Sequence, residues 1–158
     1  MNTDDKKIER QLTVLLRKSV RIHLSTQRGD VSLERSAYGI MCQLADEGPQ
    51  RLGALAAAFG LDPSTITRQV RDLENAGFAS RQTDPSDRRA SVLDLTPCGR
   101  QVLEQSREHR RFKLKEALSN WSSSDLNDFG RLLQEFNTSM DRLAAFGVLV
   151  FTNGFVLG

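Results

Sequence analysis

The side chains with the clearest chemistry lie in the stretch PSTITRQVRDLEN, residues 63–75. On a helical wheel of about 100° per residue, Ile66, Val70 and Leu73 share one side. Ser64, Thr67, Arg68 and Arg71 fall opposite, while Asp72 and Glu74 point elsewhere. Hydroxyls and guanidinium groups are what reach phosphate oxygens, and Arg adds a fork that matches guanine O6 and N7 in a major groove. A solvated helix face carries the same residue types, so the neighbours must decide. Farther along, Arg88 and Arg89 stand in a polar, turn-rich loop and bring a second pair of cations, of the kind a narrow minor groove attracts.

Other chemistries find no foothold. Cys42, Cys98, His23 and His109 are scattered singly, with no nucleophile-and-base motif and no metal-ligand spacing. Gly60, Gly77 and Gly99 read as helix boundaries rather than as a phosphate-cradling loop. The expectation is therefore no enzyme, no cofactor and no metal. Charge gives no help, because 22 Lys and Arg against 20 Asp and Glu leave a net +2 on 158 residues. Two cysteines are too few for a disulfide framework.

The elements that must position these groups can be read from periodicity. Ile8, Leu12, Leu15, Leu16 and Ile22 mark a first helix ending near Gly29. A second follows Ser32, with Leu33, Ala37, Ile40, Met41, Leu44 and Ala45 on one face, stopped at Glu47-Gly48-Pro49. A short third helix carries Leu52, Leu55, Ala56 and Phe59 and ends at Gly60. Asp62-Pro63 reads as an N-cap followed by Pro at the first helical position, opening a fourth helix to about Asn75. Residues 78–83 and 90–95 read as two short strands around the loop 84–89. A lone two-stranded ribbon is marginal in water, so this one must lean on the helices before it. Thr96-Pro97 opens a fifth helix to about Asn120, and Ser122 with Asp125 resembles a capping box for a sixth.

The sixth helix has the cleanest period. Leu126, Phe129, Leu133, Phe136, Met140 and Leu143 are spaced as a heptad seam, which, with Leu12 of the first helix, predicts a subunit interface. The apolar stretch 147–158 is too short and interrupted to span a bilayer, and the charged start of the chain lacks the pattern of a secretory signal. A cytoplasmic protein without membrane contact is expected. The fold class expected is mainly α with a small β-wing. A winged helix-turn-helix over 32–96 is flanked by dimerisation helices over 1–31 and 97–146, with an apolar tail over 147–158.

At this point the residues resemble the multiple-antibiotic-resistance regulator (MarR) family of bacterial transcription factors. The matching stretches are LADEGPQRLGALAAAFGLDPSTITRQVRDLENAGFASR and DPSDRRASVLDLTPCGR, the latter with the wing signature Asp87-x-Arg89 followed by Leu95-Thr96. The resemblance implies a homodimer that binds a pseudo-palindromic double-stranded DNA operator, mostly as a repressor. It implies that Ser64, Thr65, Thr67, Arg68 and Arg71 belong to the recognition helix. It also implies that Arg89 enters the minor groove, with Asp87 orienting it and Arg88 on a phosphate. Many members release DNA when a small aromatic or phenolic effector binds, and Arg21, His23, Tyr38 and Trp121 are candidates to line such a cleft.

Two alternatives stand beside this reading. A thiol switch would use Cys98 in the first turn of the fifth helix, where the helix dipole favours a thiolate. Against it, residues 1–31, where peroxide-sensing members of the family carry their reactive cysteine, contain none. A winged helix used only for protein–protein contact would not need the cations at 68, 71, 88 and 89.

Overall fold

The computed structural model describes residues 3–24 and 35–145. Its elements are α1 (Thr3–Leu24), α2 (Arg35–Glu47), α3 (Leu52–Phe59), α4 (Pro63–Asn75), β1 (Ala79–Asp84), β2 (Asp87–Leu95), α5 (Pro97–Ala117) and α6 (Ser123–Ala145). The expected positions of Leu33, of the first helix's end near Gly29 and of the tail 147–158 lie outside the described residues. The fold is mainly α with one two-stranded antiparallel wing. The chain divides into two compact units, Met1–Leu114 and Lys115–Gly158, taken in turn below.

In the first unit, local chemistry sets the helix ends. Gly60 closes α3 in the left-handed region (φ 60°), which a residue without Cβ adopts at no steric cost. Asp62 then caps α4: its Oδ1 accepts the Thr65 N–H at 2.9 Å, and Pro63 fills the first helical position. The apolar face of α4 (Ile66, Val70, Leu73) packs with Ile40, Met41 and Leu44 of α2, Leu55 and Ala56 of α3, Ala79, Leu93 and Leu95 of the wing, and Leu103 of α5. Cys42 is half-buried at the margin of this core.

The wing departs from the sequence expectation in length and shape. β2 begins at Asp87, three residues earlier than expected, and the turn shrinks to Pro85 and Ser86. Ala79 pairs with Leu95 and Thr83 with Ser91, but Asp84 pairs with Asp87. Residues 88–90 therefore have no partner on β1, and the strand bulges where Arg88 and Arg89 stand. A third backbone element joins the wing, because Gln50 and Leu93 exchange hydrogen bonds of 3.0 and 2.8 Å. The side chain beside Gln50 adds a second tie: Arg51 Nε donates to Asp84 Oδ2 at 2.7 Å, and its Nη2 lies 3.7 Å from Asp87 Oδ2. Asp84 is the single buried charged residue among those described, and it also accepts the Ser86 N–H (2.8 Å) and hydroxyl (2.7 Å). Ser86 first, and then Arg51, hold the Asp84 carboxyl down at a pKa of about 2.

The wing's base is closed by Thr96. Its N–H donates to Phe78 O (3.0 Å), its hydroxyl donates to Gly77 O (2.6 Å), and the same oxygen accepts the Gly99 N–H (3.0 Å) as the cap of α5. Gly99 is buried against the Phe78 carbonyl, whose oxygen lies 1.9 Å from where a Cβ at position 99 would stand. α5 ends at Ala117, and residues 118–120 form a turn where the sequence reading continued the helix.

In the second unit, Ser122 caps α6 by accepting the Asp125 N–H at 3.1 Å, and its hydroxyl donates to the Asp125 carboxylate at 2.6 Å. The expected reciprocal box is thus half made, since the acid returns to the hydroxyl instead of the cap's N–H. Trp121 packs edge-on against Phe129, with ring centroids 5.3 Å apart. No described helix is long and apolar enough to cross a membrane.

Two outcomes follow from this packing. Gly99→Ala drives a methyl into a backbone carbonyl that cannot swing away, so urea denaturation should show a loss of at least about 2 kcal/mol, or no folded protein. For Asp84 the folded-state pKa is depressed, so its stabilisation is full above the unfolded value of about 3.9 and is lost as pH falls through about 2. The urea midpoint of Asp84→Asn should therefore lie below that of the natural chain by a constant gap above about pH 5, and the gap should close toward about pH 2.

Candidate nucleic-acid interface

The exposed face of α4 holds the expected residues, but its hydroxyls are already engaged. Ser64 donates to Asp62 Oδ1, Thr65 Oγ1 donates to Asp62 Oδ2 at 2.6 Å, and Thr67 Oγ1 donates to Pro63 O at 2.7 Å. These hydrogen bonds, Ser64's first, hold the Asp62 carboxyl far below the ordinary carboxylate range. A phosphate oxygen only accepts, and each hydroxyl has one proton to give. The free protein therefore presents an ionised cap at the start of α4, and its ready donors are guanidinium groups.

Those groups are distinguished by what they lack. Arg68 and Arg71 are exposed on α4, and Arg88 and Arg89 are exposed on the bulge of β2. None of the four has an ion-pair partner among the described residues. Their neighbours do: Arg81 pairs with Glu74 at 3.1 Å, Arg100 with Asp94 at 2.9 Å, and Arg51 with Asp84 at 2.6 Å. Asp87, read as the orienting partner of Arg89, acts on its backbone, where Oδ1 accepts the Arg89 N–H at 3.0 Å.

The remaining sequence candidates are spread through the molecule. Tyr38 on α2 is half-buried beneath Arg110, whose guanidinium carbon is 4.4 Å from the ring centroid. Burial, then the hydrogen bond to Cys42, pushes the Tyr38 phenol up, against the pull of Arg110 and Arg107. Arg107 donates to Asp46 at 2.9 Å, which raises its own pKa. On the same stretch of α5, His109 Nε2 is buried with no hydrogen-bond partner. Trp121 belongs to the second unit, and Arg21 and His23 stand in the last turn of α1 with side chains outside the described set. Of the seam, Leu126, Phe129, Leu133, Phe136 and Leu143 are exposed and Met140 is half-exposed. Leu12 is half-buried on α1, and Cys98 is exposed at the start of α5. Sequence reasoning missed Gln50 and Arg51. The available signal was an Arg immediately before a short helix, where a small polar cap is the rule.

Comparison with known proteins agrees with this geometry. The model of the MarR family matches residues 33–91. The HTH-type transcriptional regulator YxaD of Bacillus subtilis (strain 168) is 38% identical over 130 residues, 82% of this chain and 90% of that protein. The HTH-type transcriptional repressor NicR of Pseudomonas putida is 30% identical over 113 residues, 63% of this chain and 72% of its own length. The crystal structure of RV1404 from Mycobacterium tuberculosis is similar with a TM-score of 0.75 and 25% identity, covering 89% of this chain and 96% of that one. A helix-turn-helix whose second helix and wing both carry unpaired arginines, joined to a match of this length, leaves one conclusion: the chain belongs to the MarR family of winged helix-turn-helix transcriptional regulators.

Proposed function

We propose that the chain is a homodimeric, cytoplasmic repressor that binds a pseudo-palindromic DNA operator and is released by a small aromatic or phenolic acid. The observation that carries the DNA half is the set of unpaired guanidiniums at Arg68 and Arg71 on α4 and at Arg88 and Arg89 on β2, within one compact unit. In this reading α4 enters the major groove, with Arg68 and Arg71 on base edges or phosphates and Ser64, Thr65 and Thr67 alongside. Arg89 enters the flanking minor groove, and Arg88 meets a phosphate. Repression takes support from the kinship with NicR, which is named a repressor.

The dimer half takes support from α6, where the heptad seam leaves Leu126, Phe129, Leu133, Phe136 and Leu143 facing solvent in the single chain. So many large apolar side chains on one stripe call for a partner. In this reading residues 1–31 and 97–146 form the dimerisation helices and 32–96 form the DNA-binding lobe. The effector takes support from Tyr38, stacked under Arg110, and from the buried, unsatisfied His109 Nε2. Buried polar atoms are normally partnered, and an acid with an aromatic ring would meet both a cation and a ring here. A ligand that fits one spacing of the two lobes better than another shifts the population away from the DNA-competent state.

A labelled duplex from the upstream intergenic region, titrated at two salt concentrations, tests the reading. Arg68→Ala or Arg71→Ala should weaken specific binding by about 1–3 kcal/mol if the side chain reads a base, and less, with a flatter salt slope, if it contacts phosphate. Weak, strongly salt-dependent binding that ignores both substitutions would leave only non-specific cationic contact. In sedimentation, the natural chain should run as a dimer and Phe136→Glu as a monomer, since a carboxylate in an apolar seam is desolvated without a partner. A monomeric natural chain would end the dimer reading.

A further inference from the structure

Arg51 sits where its local environment does not want it. It is the N-cap of α3, with extended backbone (φ −69°, ψ 148°) and no side-chain capping bond. Ser, Thr, Asn or Asp is favoured there, and a cation at a helix N-terminus is opposed by the macrodipole. The side chain turns instead to the wing and joins Asp84, buried at the point where the β1–β2 register breaks. From the same guanidinium, Nη2 approaches Asp87, which holds the Arg89 N–H. Next to it, Gln50 makes a backbone bridge to Leu93. The connector between α2 and α3 therefore grips the wing twice, once at the middle of β2 and once at the root of the bulge.

We propose that Arg51 is a positioning residue for DNA recognition, fixing the bulge so that the Arg89 guanidinium is presented in one orientation. This rests on the DNA-binding reading above. The mechanism is entropic: left unpinned, a bulge with no partner on β1 would sample many conformations, and DNA would have to select one of them. Pinning Asp84 and Asp87 from outside the hairpin removes that freedom before binding. Arg suits the task because Nε and Nη2 both reach Asp84 Oδ2, at 2.7 and 2.6 Å, from one rigid plane that also brings charge to within 3.7 Å of Asp87, which a Lys ammonium cannot do. Arg51 itself contacts no DNA in this account.

A double-mutant cycle on the full chain separates the possibilities. Arg51→Gln should weaken binding to the upstream duplex by about fivefold in the natural background, and by less than about twofold in an Arg89→Ala background, because the two act through one element. Asp84→Asn, which removes the charge but keeps an acceptor for Ser86, should behave as Arg51→Gln does. Amide hydrogen exchange should speed about tenfold more at residues 86–91 than at the core amides of Ile40 and Leu44 in both variants. Equal loss in both backgrounds, with the salt slope reduced by about 1, would make Arg51 a phosphate contact and overturn the proposal. Unchanged exchange at the wing would overturn it whatever the DNA shows. If the natural chain binds no duplex specifically, the DNA-binding reading fails on its own, and the exchange measurement still judges whether Arg51 pins the bulge.

Discussion

Two stretches of backbone close on each other where residues 77–79 meet residues 95–99, and the rest of the winged lobe is built outward from that closure. Phe78 N–H donates to Leu73 O at the end of α4, Thr96 N–H donates to Phe78 O, and the Thr96 hydroxyl donates to Gly77 O while capping α5. One threonine thereby ties a helix end, a strand start and a helix start into a single knot of hydrogen bonds. The closure works only because Gly99 has no side chain to meet the Phe78 carbonyl. From it follows the pairing of Ala79 with Leu95, which turns Ala79, Leu93 and Leu95 inward onto α4 and α5. A one-residue slip here would turn those side chains outward and leave the core open.

Because a two-stranded ribbon is marginally stable alone, what lies around it decides its shape. Its inner side chains pack with Leu55, Ile66 and Leu103, and its free edge meets Gln50. The distal end has no such cover, and there the chain relies on charge. Asp84 is drawn into the surface by Ser86 and Arg51, so the tip of the hairpin is tied down by an ion pair with its cation half-exposed. Arg88 and Arg89 stand between that tip and the Thr83–Ser91 pair, on backbone that β1 does not pair.

How much of this was legible beforehand depended on whether the information was local. Asp62-Pro63, Gly60, Thr96-Pro97 and Ser122 announced helix ends by residue type alone, because a cap or a left-handed glycine acts within a few residues of itself. The face of Ile66, Val70 and Leu73 was legible for the same reason. What could not be read was set across the chain. The early start of β2 reflects its pairing with Asp84, the Gln50 bridge joins residues distant in sequence, and Arg51 shows its use only beside Asp84. The hydroxyls of Ser64 and Thr67 were read as open donors because a wheel shows direction and not partners, and Thr65 came with the recognition helix that the resemblance implied. Their protons go to Asp62 and to Pro63 O.

The separation of paired from unpaired arginines has a consequence for how the molecule meets other charges. With 22 cations against 20 anions, the chain has almost no monopole, and the field of its four unpaired arginines on α4 and β2 is screened within roughly 8 Å at physiological ionic strength. Attraction to a polyanion therefore begins only when α4 and the bulge are nearly in contact with it, and in one orientation. Such a surface gives up long-range capture and, in return, is little titrated away by the bulk of the nucleic acid around it, so most encounters end without capture and the molecule stays free to test the next site.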